Sequence, residues 1–389
     1  MTLRLARTVL AAVLPFLALP PAVAQEPVKV GLILPMTGPF ASTGRQVEAG
    51  ARLYWNQHCQ TVAGRPVELI VRDDAAEAAS SRRLAQELVV RERVHVLAGF
   101  GLTPLAFSAA PVATQSKTPM VVMAAATSSI TEKSPYIVRS SFTLPQVAAP
   151  MGEWAAANGL KRVVTLVTDY APGLDAEAWF KKTFEAGGGA VVESLRAPLQ
   201  NPDFSAFLQR VRDAKPDALF VFVPSGVGSS LMKQFETRGL KEAGIKLIAT
   251  GDVTDDDILN DMGPAARDTI TTHHYSAAHE SPENKAYVEA FGAANGGARP
   301  NFMSIGGYDG MRLICAALEQ TKGNTDGDAL LAAMKGMQWE SPRGPVAIDP
   351  DTRDIVQSVY VRRVEERDGQ LYNVEFDRFD KVADPGKAN

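Results

Sequence analysis

The chain has 389 residues, of which 46% are hydrophobic and 22% are charged, and its formal net charge is −4. This size and composition are typical of a globular protein with about two domains, at roughly 150 residues per domain. Because the two signs of charge are interspersed and no long basic run occurs, the sequence argues against binding to nucleic acid or to an anionic membrane surface.

The first 24 residues differ from the rest of the chain. Arg4 and Arg7 precede an apolar stretch from Val9 to Leu19, and Ala22-Val23-Ala24 follows it. This order predicts a secretory signal peptide that is cleaved after Ala24. The apolar stretch is shorter than the ~20 residues that a membrane span needs, so a membrane anchor is disfavoured. We therefore expect the mature protein in an exported, oxidising compartment.

After residue 25, short apolar runs alternate with helical patterns, as in α/β folds. We predict strands at 28–34, 67–71, 94–98, 120–123, 163–167, 190–193, 218–223 and 246–249. We predict helices at 45–57, 80–93, 282–294 and 302–319, and then a β-rich tail with a hairpin turn at Asp368-Gly369. Four strand–helix units precede residues 137–146 and four follow them. This repetition predicts two similar lobes that are joined there.

Six loops that follow predicted strands combine small residues with hydroxyl groups or a carboxylate. They are TGPFAST at 37–43, FGLTP at 100–104, AAATSS at 124–129, TDYAPG at 168–173, VPSGVGSS at 223–230 and TGDVTDD at 250–256. Ligands of α/β sheets bind at the carboxyl ends of the strands. Small residues let backbone N–H groups approach a ligand there, and hydroxyl groups donate hydrogen bonds to a carboxylate. The loops therefore predict a binding cleft between the lobes.

Sequence signatures of catalysis are absent: there is no P-loop, no G-x-S-x-G elbow, no H-E-x-x-H and no G-x-G-x-x-G after a strand. His273, His274 and His279 lack the spacing of metal ligands, and we expect the adjacent pair to point to opposite faces of a strand. We interpret residues 255–257, three aspartates after Thr254, as the acidic first turn of a helix. We therefore expect a binding protein with no cofactor and no metal.

The two cysteines, Cys59 and Cys315, are far apart in the sequence. An exported protein can join such a pair. However, Cys315 lies in the apolar pattern MRLICAAL, where a cysteine behaves as a small hydrophobic residue. We favour two buried thiols.

Several stretches, including VGLILPMTGPFASTG, AAATSS, NPDFSAFLQRVRDAKPDALFVF and GGYDGMRLI, resemble the type I periplasmic solute-binding proteins of the branched-chain amino acid ABC transporter family. The resemblance covers the whole mature chain and implies an α/β fold of two Rossmann-like lobes. It implies three hinge crossings, near 139–142, 272–275 and 341–345. The implied division is lobe 1 at 25–141 plus 275–342, lobe 2 at 142–274 plus 343–376, and a C-terminal tail at 377–389.

The same resemblance, carried over position by position, implies nine ligand-binding residues. They are Thr43, Leu102, Thr103, Ala125, Ala126 and Thr127 from lobe 1, and Tyr170, Ser225 and Asp252 from lobe 2. In the family's amino-acid binders, donors at the positions of Thr103 and Thr127 hold the ligand carboxylate, and an acid at the position of Asp252 pairs with its ammonium. Leu102 and Ser225 depart from the polar and aromatic residues usual at their positions, which implies a roomier, more apolar pocket.

The runs VVMAAATSSITEKSPYIVRSSFTLPQ and MKGMQWESPRGPVAIDPDTRDIVQSVYVRRVE look closer to the branch that binds aromatic acids such as benzoate derivatives. The implied function is a monomeric periplasmic receptor that delivers such a ligand to an ABC permease in the inner membrane. Leu102 and Tyr170 would flank the ring, Ser225 or Asp252 would meet a ring hydroxyl, and Arg45 is a weaker candidate to assist the carboxylate. Binding of branched-chain or other amino acids is the alternative, and a ligand-sensing module is the third.

Overall fold

A computed structural model describes residues 26–387 of the chain. The predicted signal peptide and its cleavage after Ala24 lie outside these residues. Within 26–387 the structure has two sheets in two α/β lobes; the first is mainly parallel, whereas the second joins a parallel run to antiparallel strands. The two-lobed α/β architecture predicted from the sequence is therefore confirmed.

The sheet of the first lobe has the strand order β2-β3-β1-β4-β5-β6 within the described residues. Its strands are β1 Val28–Leu34, β2 Thr61–Val62, β3 Arg65–Asp73, β4 Val96–Gly99, β5 Met120–Val122 and β6 Ile137–Arg139. The run β3-β1-β4-β5-β6 is parallel. Alternate residues of β1 enter different apolar clusters, with Leu32 and Leu34 in one and Ile33 in another. Burial on both faces explains why the strand is uniformly apolar.

The second sheet has the order β12-β13-β14-β11-β10-β9-β7-β8, and β15 pairs with β14. Its strands are β7 Arg162–Thr168, β8 Ala190–Ala197, β9 Ala218–Phe222, β10 Lys246–Thr250, β11 Ile270–His273, β12 Gln338–Ser341, β13 Gly344–Ile348, β14 Ile355–Arg367 and β15 Gln370–Val382. Strand β12 comes from the part of the chain that the resemblance assigns to the first lobe. Asp368 and Gly369 both have positive φ, at 51° and 76°, as a tight hairpin turn requires. The predicted hairpin is confirmed. Strand β15 runs past residue 376, where we expected the second lobe to end.

The helices connect these strands and cover the sheets. They are α1 Ala41–His58, α2 Ala78–Glu87, α3 Thr103–Ser116, α4 Leu144–Ala157, α5 Ala171–Ala186, α6 Ser205–Ala214, α7 Gly228–Thr237, α8 Pro282–Ala294, α9 Phe302–Gln320 and α10 Gly327–Met334. Helix α8 begins and ends where predicted, with the Ser281 side chain accepting from the backbone of Asn284. The predicted helix at 80–93 is interrupted, because a π-helical turn at Leu88–Glu92 follows α2 and Arg93 then takes a left-handed conformation.

Cys59 and Cys315 form a disulfide bond, with their Cα atoms 6.1 Å apart. Our expectation of two thiols was therefore wrong, although both residues are buried as expected. Cys59 follows the last residue of α1, and Cys315 lies within α9. These two helices pack against each other along the first lobe, which brings together residues that are 256 positions apart.

The segments that connect the two lobes lie side by side. In the first crossing, the carbonyl groups of Ser140 and Ser141 accept hydrogen bonds from the guanidinium of Arg343, at 2.6 and 3.1 Å. Arg343 lies in the third crossing and is fully buried against Asp309 of α9, with Nη2 2.8 Å from Oδ2. The ring of Phe142, also in the first crossing, contacts the ring of His274 in the second. One buried cluster therefore joins all three crossings.

We predict that a Cys59→Ala/Cys315→Ala double variant loses about 2–5 kcal/mol of unfolding free energy, because the disulfide closes a very long loop and restricts the unfolded chain. Urea denaturation followed by circular dichroism measures the loss. A reductant should lower the stability of the wild type similarly and leave the double variant unchanged. Equal stability of the oxidised wild type and the double variant would contradict the prediction.

Candidate ligand-binding cleft

One cavity lies between the lobes, where strands of both sheets end. Eight of the nine predicted site residues line it: Thr43, Leu102, Thr103, Ala125, Ala126, Tyr170, Ser225 and Asp252. The ninth, Thr127, does not line the cavity, but its hydroxyl accepts a hydrogen bond from the Thr103 hydroxyl at 3.1 Å. Arg45 has an exposed side chain and is not among the residues that line the cavity.

Sequence reasoning missed several other lining residues. They are Gly101, Ala124, Phe142, Leu144, Pro172, Phe222, Pro224 and Met303. Most belong to the strand-end loops or to the first crossing, so their neighbourhood was predicted and only their orientation was unknown. Met303 carries no comparable signal, because it lies at the start of α9 and reaches the cavity through tertiary packing.

The first lobe contributes the amino end of a helix. Helix α3 begins at Thr103, and Leu102 precedes it without a side-chain cap. The amino end of a helix has unpaired backbone N–H groups and a partial positive charge, which favour a carboxylate. Pro104 has no N–H, and the N–H groups of Leu105 and Ala106 donate to the Leu102 carbonyl. This end of the cavity therefore offers an anion the Thr103 N–H and the Thr103 hydroxyl, which can turn from Thr127 to a ligand.

Only glycine at position 101 allows the loop after β4 to pack against Pro35. A Cβ atom there would lie 2.7 Å from the ring atoms of Pro35, which is closer than real side chains approach. Pro35 directly follows β1, so the loops after β1 and β4 touch at this point. Their close packing sets Leu102 and Thr103 at the edge of the cavity.

The second lobe contributes an aromatic and apolar wall. Tyr170 lies parallel to Phe222, with ring centroids 6.1 Å apart and an interplanar angle of 21°. Burial raises the pKa of the Tyr170 hydroxyl above its ordinary value, so this side chain stays neutral. Pro172 and Pro224 extend the same wall. This side of the cavity is suited to a flat apolar group.

Asp252 is the carboxylate that lines the cavity, and only 4% of it is exposed. The Thr250 hydroxyl donates to it at 2.9 Å. His273 Nε2 lies 3.7 Å away, but burial holds the pKa of that imidazole well below its ordinary range, so His273 is neutral. Burial raises the pKa of Asp252 to about 7. Asp252 therefore changes charge near neutral pH.

The three aspartates at 255–257 do not begin a helix, so that interpretation was wrong. The backbone passes between two short 3₁₀ segments, and each side chain takes a different partner. Asp255 accepts from Ser225, Asp256 accepts from Asn373, and Asp257 accepts from Ser42. These tertiary contacts replace the local capping that the sequence pattern had indicated. Through Asp255, this segment also orients a hydroxyl that lines the cavity.

The adjacent histidines also differ from expectation. Strand β11 ends at His273, so the next side chain does not have to point to the opposite face, and the Nδ1 atoms of His273 and His274 lie 2.8 Å apart. His279 is separate from them and contacts Glu375 at 2.8 Å. Within residues 26–387, no group of three or more His, Cys, Asp or Glu side chains is arranged to hold a metal ion.

The cavity is small, with a volume of ≈20 Å³. That is little more than the space required for one water molecule. A ligand as large as a benzene ring therefore enters only when the lobes separate or the lining side chains shift. The arrangement is that of a cleft in its closed form.

Comparison with known proteins places the chain among transport receptors. Residues 27–370 match the family described as periplasmic binding protein. The chain is 46% identical over 363 residues to the Leu/Ile/Val-binding protein homolog 6 of Brucella abortus, covering 92% of this chain and 93% of that protein. In the described part of the chain, no helix combines the length and apolar character required to span a bilayer.

Two solved structures are similar over nearly their whole length. The solute-binding protein of an ABC transporter from Rhodopseudomonas palustris BisB5, in complex with 3,4-dihydroxybenzoic acid, is 60% identical with a TM-score of 0.91, covering 93% of this chain and 99% of that one. A second, from Rhodopseudomonas palustris HaA2 in complex with p-hydroxybenzoic acid, is 45% identical with a TM-score of 0.90, covering 94% and 100%.

We predict that Asp252→Asn flattens the pH dependence of stability between pH 4 and 7. The pKa of Asp252 is raised on folding, so its stabilising contribution is fully present below the unfolded value near 3.8 and is lost as pH rises to about 7. The maximal slope is about 1.4 kcal/mol per pH unit. Urea denaturation of the ligand-free protein at several pH values measures the slope of unfolding free energy against pH. The matched control is Asp261→Asn, at an exposed position, and a slope in Asp252→Asn as steep as in this control would contradict the prediction.

Proposed function

Because this chain belongs to the periplasmic binding protein family, we propose that it is the solute-binding component of an ABC importer for a small aromatic carboxylate, a benzoate or cinnamate derivative. The observation that carries the proposal is the different chemistry of the two sides of the cavity. The first lobe offers hydrogen-bond donors, whereas the second lobe offers the Tyr170 ring and the acceptors Ser225 and Asp252. The aromatic acids bound by the two Rhodopseudomonas palustris proteins support the same ligand class.

The ligand carboxylate would lie at the amino end of α3, with hydrogen bonds from Thr103 and from the Thr127 side of the loop. Among the described residues that line the cavity, none is a lysine or an arginine, so neutral donors and the helix dipole would stabilise the anion. Leu102 and Tyr170 would contact the two faces of the ring. The nine predicted residues thus form one proposed site, with Thr127 acting through Thr103.

A ring hydroxyl would meet the second lobe. Asp252 and Ser225 lie there, and ionised Asp252 can only accept hydrogen bonds, whereas a phenol hydroxyl donates one. The carboxylate end of the ligand has to lie away from Asp252, because two negative charges in a buried site repel each other. These requirements orient a hydroxybenzoate across the cleft, with its carboxylate on the first lobe.

Amino acids are the alternative ligands, since Asp252 could pair with an ammonium group. The name of the Brucella relative points the same way. An aliphatic amino acid, however, would make less use of the parallel Tyr170 and Phe222 rings. We therefore place aromatic acids first.

We propose that the protein works in the periplasm after cleavage following Ala24, and that it releases its ligand unchanged to an inner-membrane permease. The lobes, proposed as residues 25–141 with 275–342 and 142–274 with 343–376, would close by rotation at the three crossings. Strand β15 extends the second lobe to Val382. Binding without conversion of the ligand is tested by incubating the protein with the compound and analysing the compound afterwards. We expect to recover it intact.

We predict that hydroxybenzoates raise the melting temperature of the protein, while leucine and valine do not. A ligand present at 100 times its Kd stabilises the folded state by about 2.7 kcal/mol. A thermal-shift screen of benzoates, cinnamates and amino acids measures this. Stabilisation by leucine or valine without stabilisation by hydroxybenzoates would reverse the choice in favour of amino acids.

We predict that Thr127→Val weakens 4-hydroxybenzoate binding about tenfold, because it removes the hydroxyl that would donate to Thr103 Oγ1 once the Thr103 proton turns to the carboxylate. Titration calorimetry measures the Kd. Thr127→Ser keeps the hydroxyl and should bind nearly as well as the wild type, and Arg45→Ala should not change the Kd, because that side chain is exposed. A larger loss in Arg45→Ala than in Thr127→Val would refute this assignment of the carboxylate end.

A further inference from the structure

Two contacts join the lobes through second-lobe residues that do not line the cavity. The first is polar: the Ser42 hydroxyl donates to Asp257 Oδ2 at 2.7 Å, and the Gln46 amide reaches the same oxygen at 3.4 Å. Ser42 and Gln46 lie on α1 in the first lobe, whereas Asp257 lies between β10 and β11 in the second. The interaction therefore exists only while the lobes are together.

The second contact is apolar. Phe40, Leu102 and Leu105 form a buried cluster on the first lobe, and Leu199 from the second lobe packs against it. Leu199 lies in the loop after β8 and is half-buried. When the lobes separate, Leu199 and part of this cluster meet water, which is unfavourable for apolar surface.

The two contacts flank the same element. Phe40 precedes α1 and Ser42 lies in its first turn, with Thr43, which lines the cavity, directly next to Ser42. The second lobe thus holds the amino end of α1 through an apolar side chain and a carboxylate. Neither Leu199 nor Asp257 is among the cavity-lining residues.

We propose that Leu199 and Asp257 form a latch that favours the closed form and so sets the residence time of every ligand, without selecting among ligands. This inference rests on the proposed capture of a ligand by closing lobes, but not on the identity of the ligand. Both are positioning residues, because they act through the lobe arrangement. The apparent Kd of a ligand rises as the fraction of the binding-competent form falls.

The latch has a kinetic signature. The ligand enters the open cleft, so weakening the latch does not slow association, and it speeds association to the extent that the ligand-free protein is closed. Release requires the latch to open, so weakening it raises the dissociation rate. Residues that touch a ligand directly discriminate between ligands instead, because a lost contact affects only ligands that make it.

The test compares Leu199→Ala and Ser42→Ala, alone and combined, with the wild type. The matched control is Val192→Ala, an apolar truncation at a position that is 36% exposed on β8. Stopped-flow kinetics with benzoate and with 4-hydroxybenzoate should show dissociation about three- to tenfold faster in the double variant, by the same factor for both compounds, with association no slower than in the wild type. Each single variant should show part of this effect, and Val192→Ala none. If the dissociation rate rises by different factors for the two compounds, or if only the association rate changes, the proposed latch is wrong.

Small-angle scattering without ligand separates this inference from the proposed function. The double variant should have a larger radius of gyration than the wild type, because its closed form is less favoured. An equal radius in both proteins would contradict the latch. If the wild type binds neither benzoate, the proposed ligand class fails, and the scattering comparison then decides on the latch by itself.

Discussion

Burial of the Arg343 guanidinium is the constraint on which the two-lobed arrangement depends. Its pKa is lowered by burial, but an arginine remains charged, so its partners must come from the protein. Asp309 supplies the opposite charge, the carbonyls of Ser140 and Ser141 accept from the two terminal nitrogens, and Gln357 of β14 accepts at 2.9 Å. These partners belong to three different segments. The guanidinium charge has all these partners only when the crossings and both lobes meet at one point. Removal of one partner from such a buried ion pair typically costs about 3–5 kcal/mol of folding stability.

A second buried arginine connects this region to the cleft. Arg139, the last residue of β6, lies with Nε 2.9 Å from Asp354, which comes from the segment before β14. Its Nη2 donates to the carbonyl of Thr127 at 2.8 Å. The loop that carries the proposed carboxylate donors is thus attached to the first crossing and, through Asp354, to the second lobe. Stability of the crossings and geometry of the site depend on the same buried charges.

The electrostatics of the cleft differ between its two sides. Burial raises the pKa values of Asp252 and Asp255 on the second lobe, and nearby aspartates raise that of Asp255 further. The first lobe offers the amino end of α3 and hydroxyl groups instead. The negative group of a ligand is therefore favoured on the first-lobe side and disfavoured beside the aspartates of the second lobe. This difference sets the orientation of the ligand in the cleft. The same asymmetry places ligand hydroxyl donors beside Asp252 and Ser225.

Local patterns in the sequence determined the elements and the strand-end loops that border the cavity. Strand β1 occupies the predicted residues because its apolar run reflects burial on both faces, and the hairpin turn at Asp368-Gly369 follows from the positive φ values that these residues tolerate. Thr103 and Tyr170 reach the cleft because strand ends in parallel sheets meet at one edge. Family resemblance then indicated residues within these loops, eight of which line the cavity.

Only the tertiary structure decided the features that depend on distant partners. The disulfide between Cys59 and Cys315 follows from the packing of α1 on α9, and the aspartates at 255–257 take partners from separate parts of the fold instead of capping a helix. Met303 enters the cavity for the same reason. A single sequence reports local conformational preference and burial, whereas these contacts arise from the free energy of packing elements that are far apart along the chain.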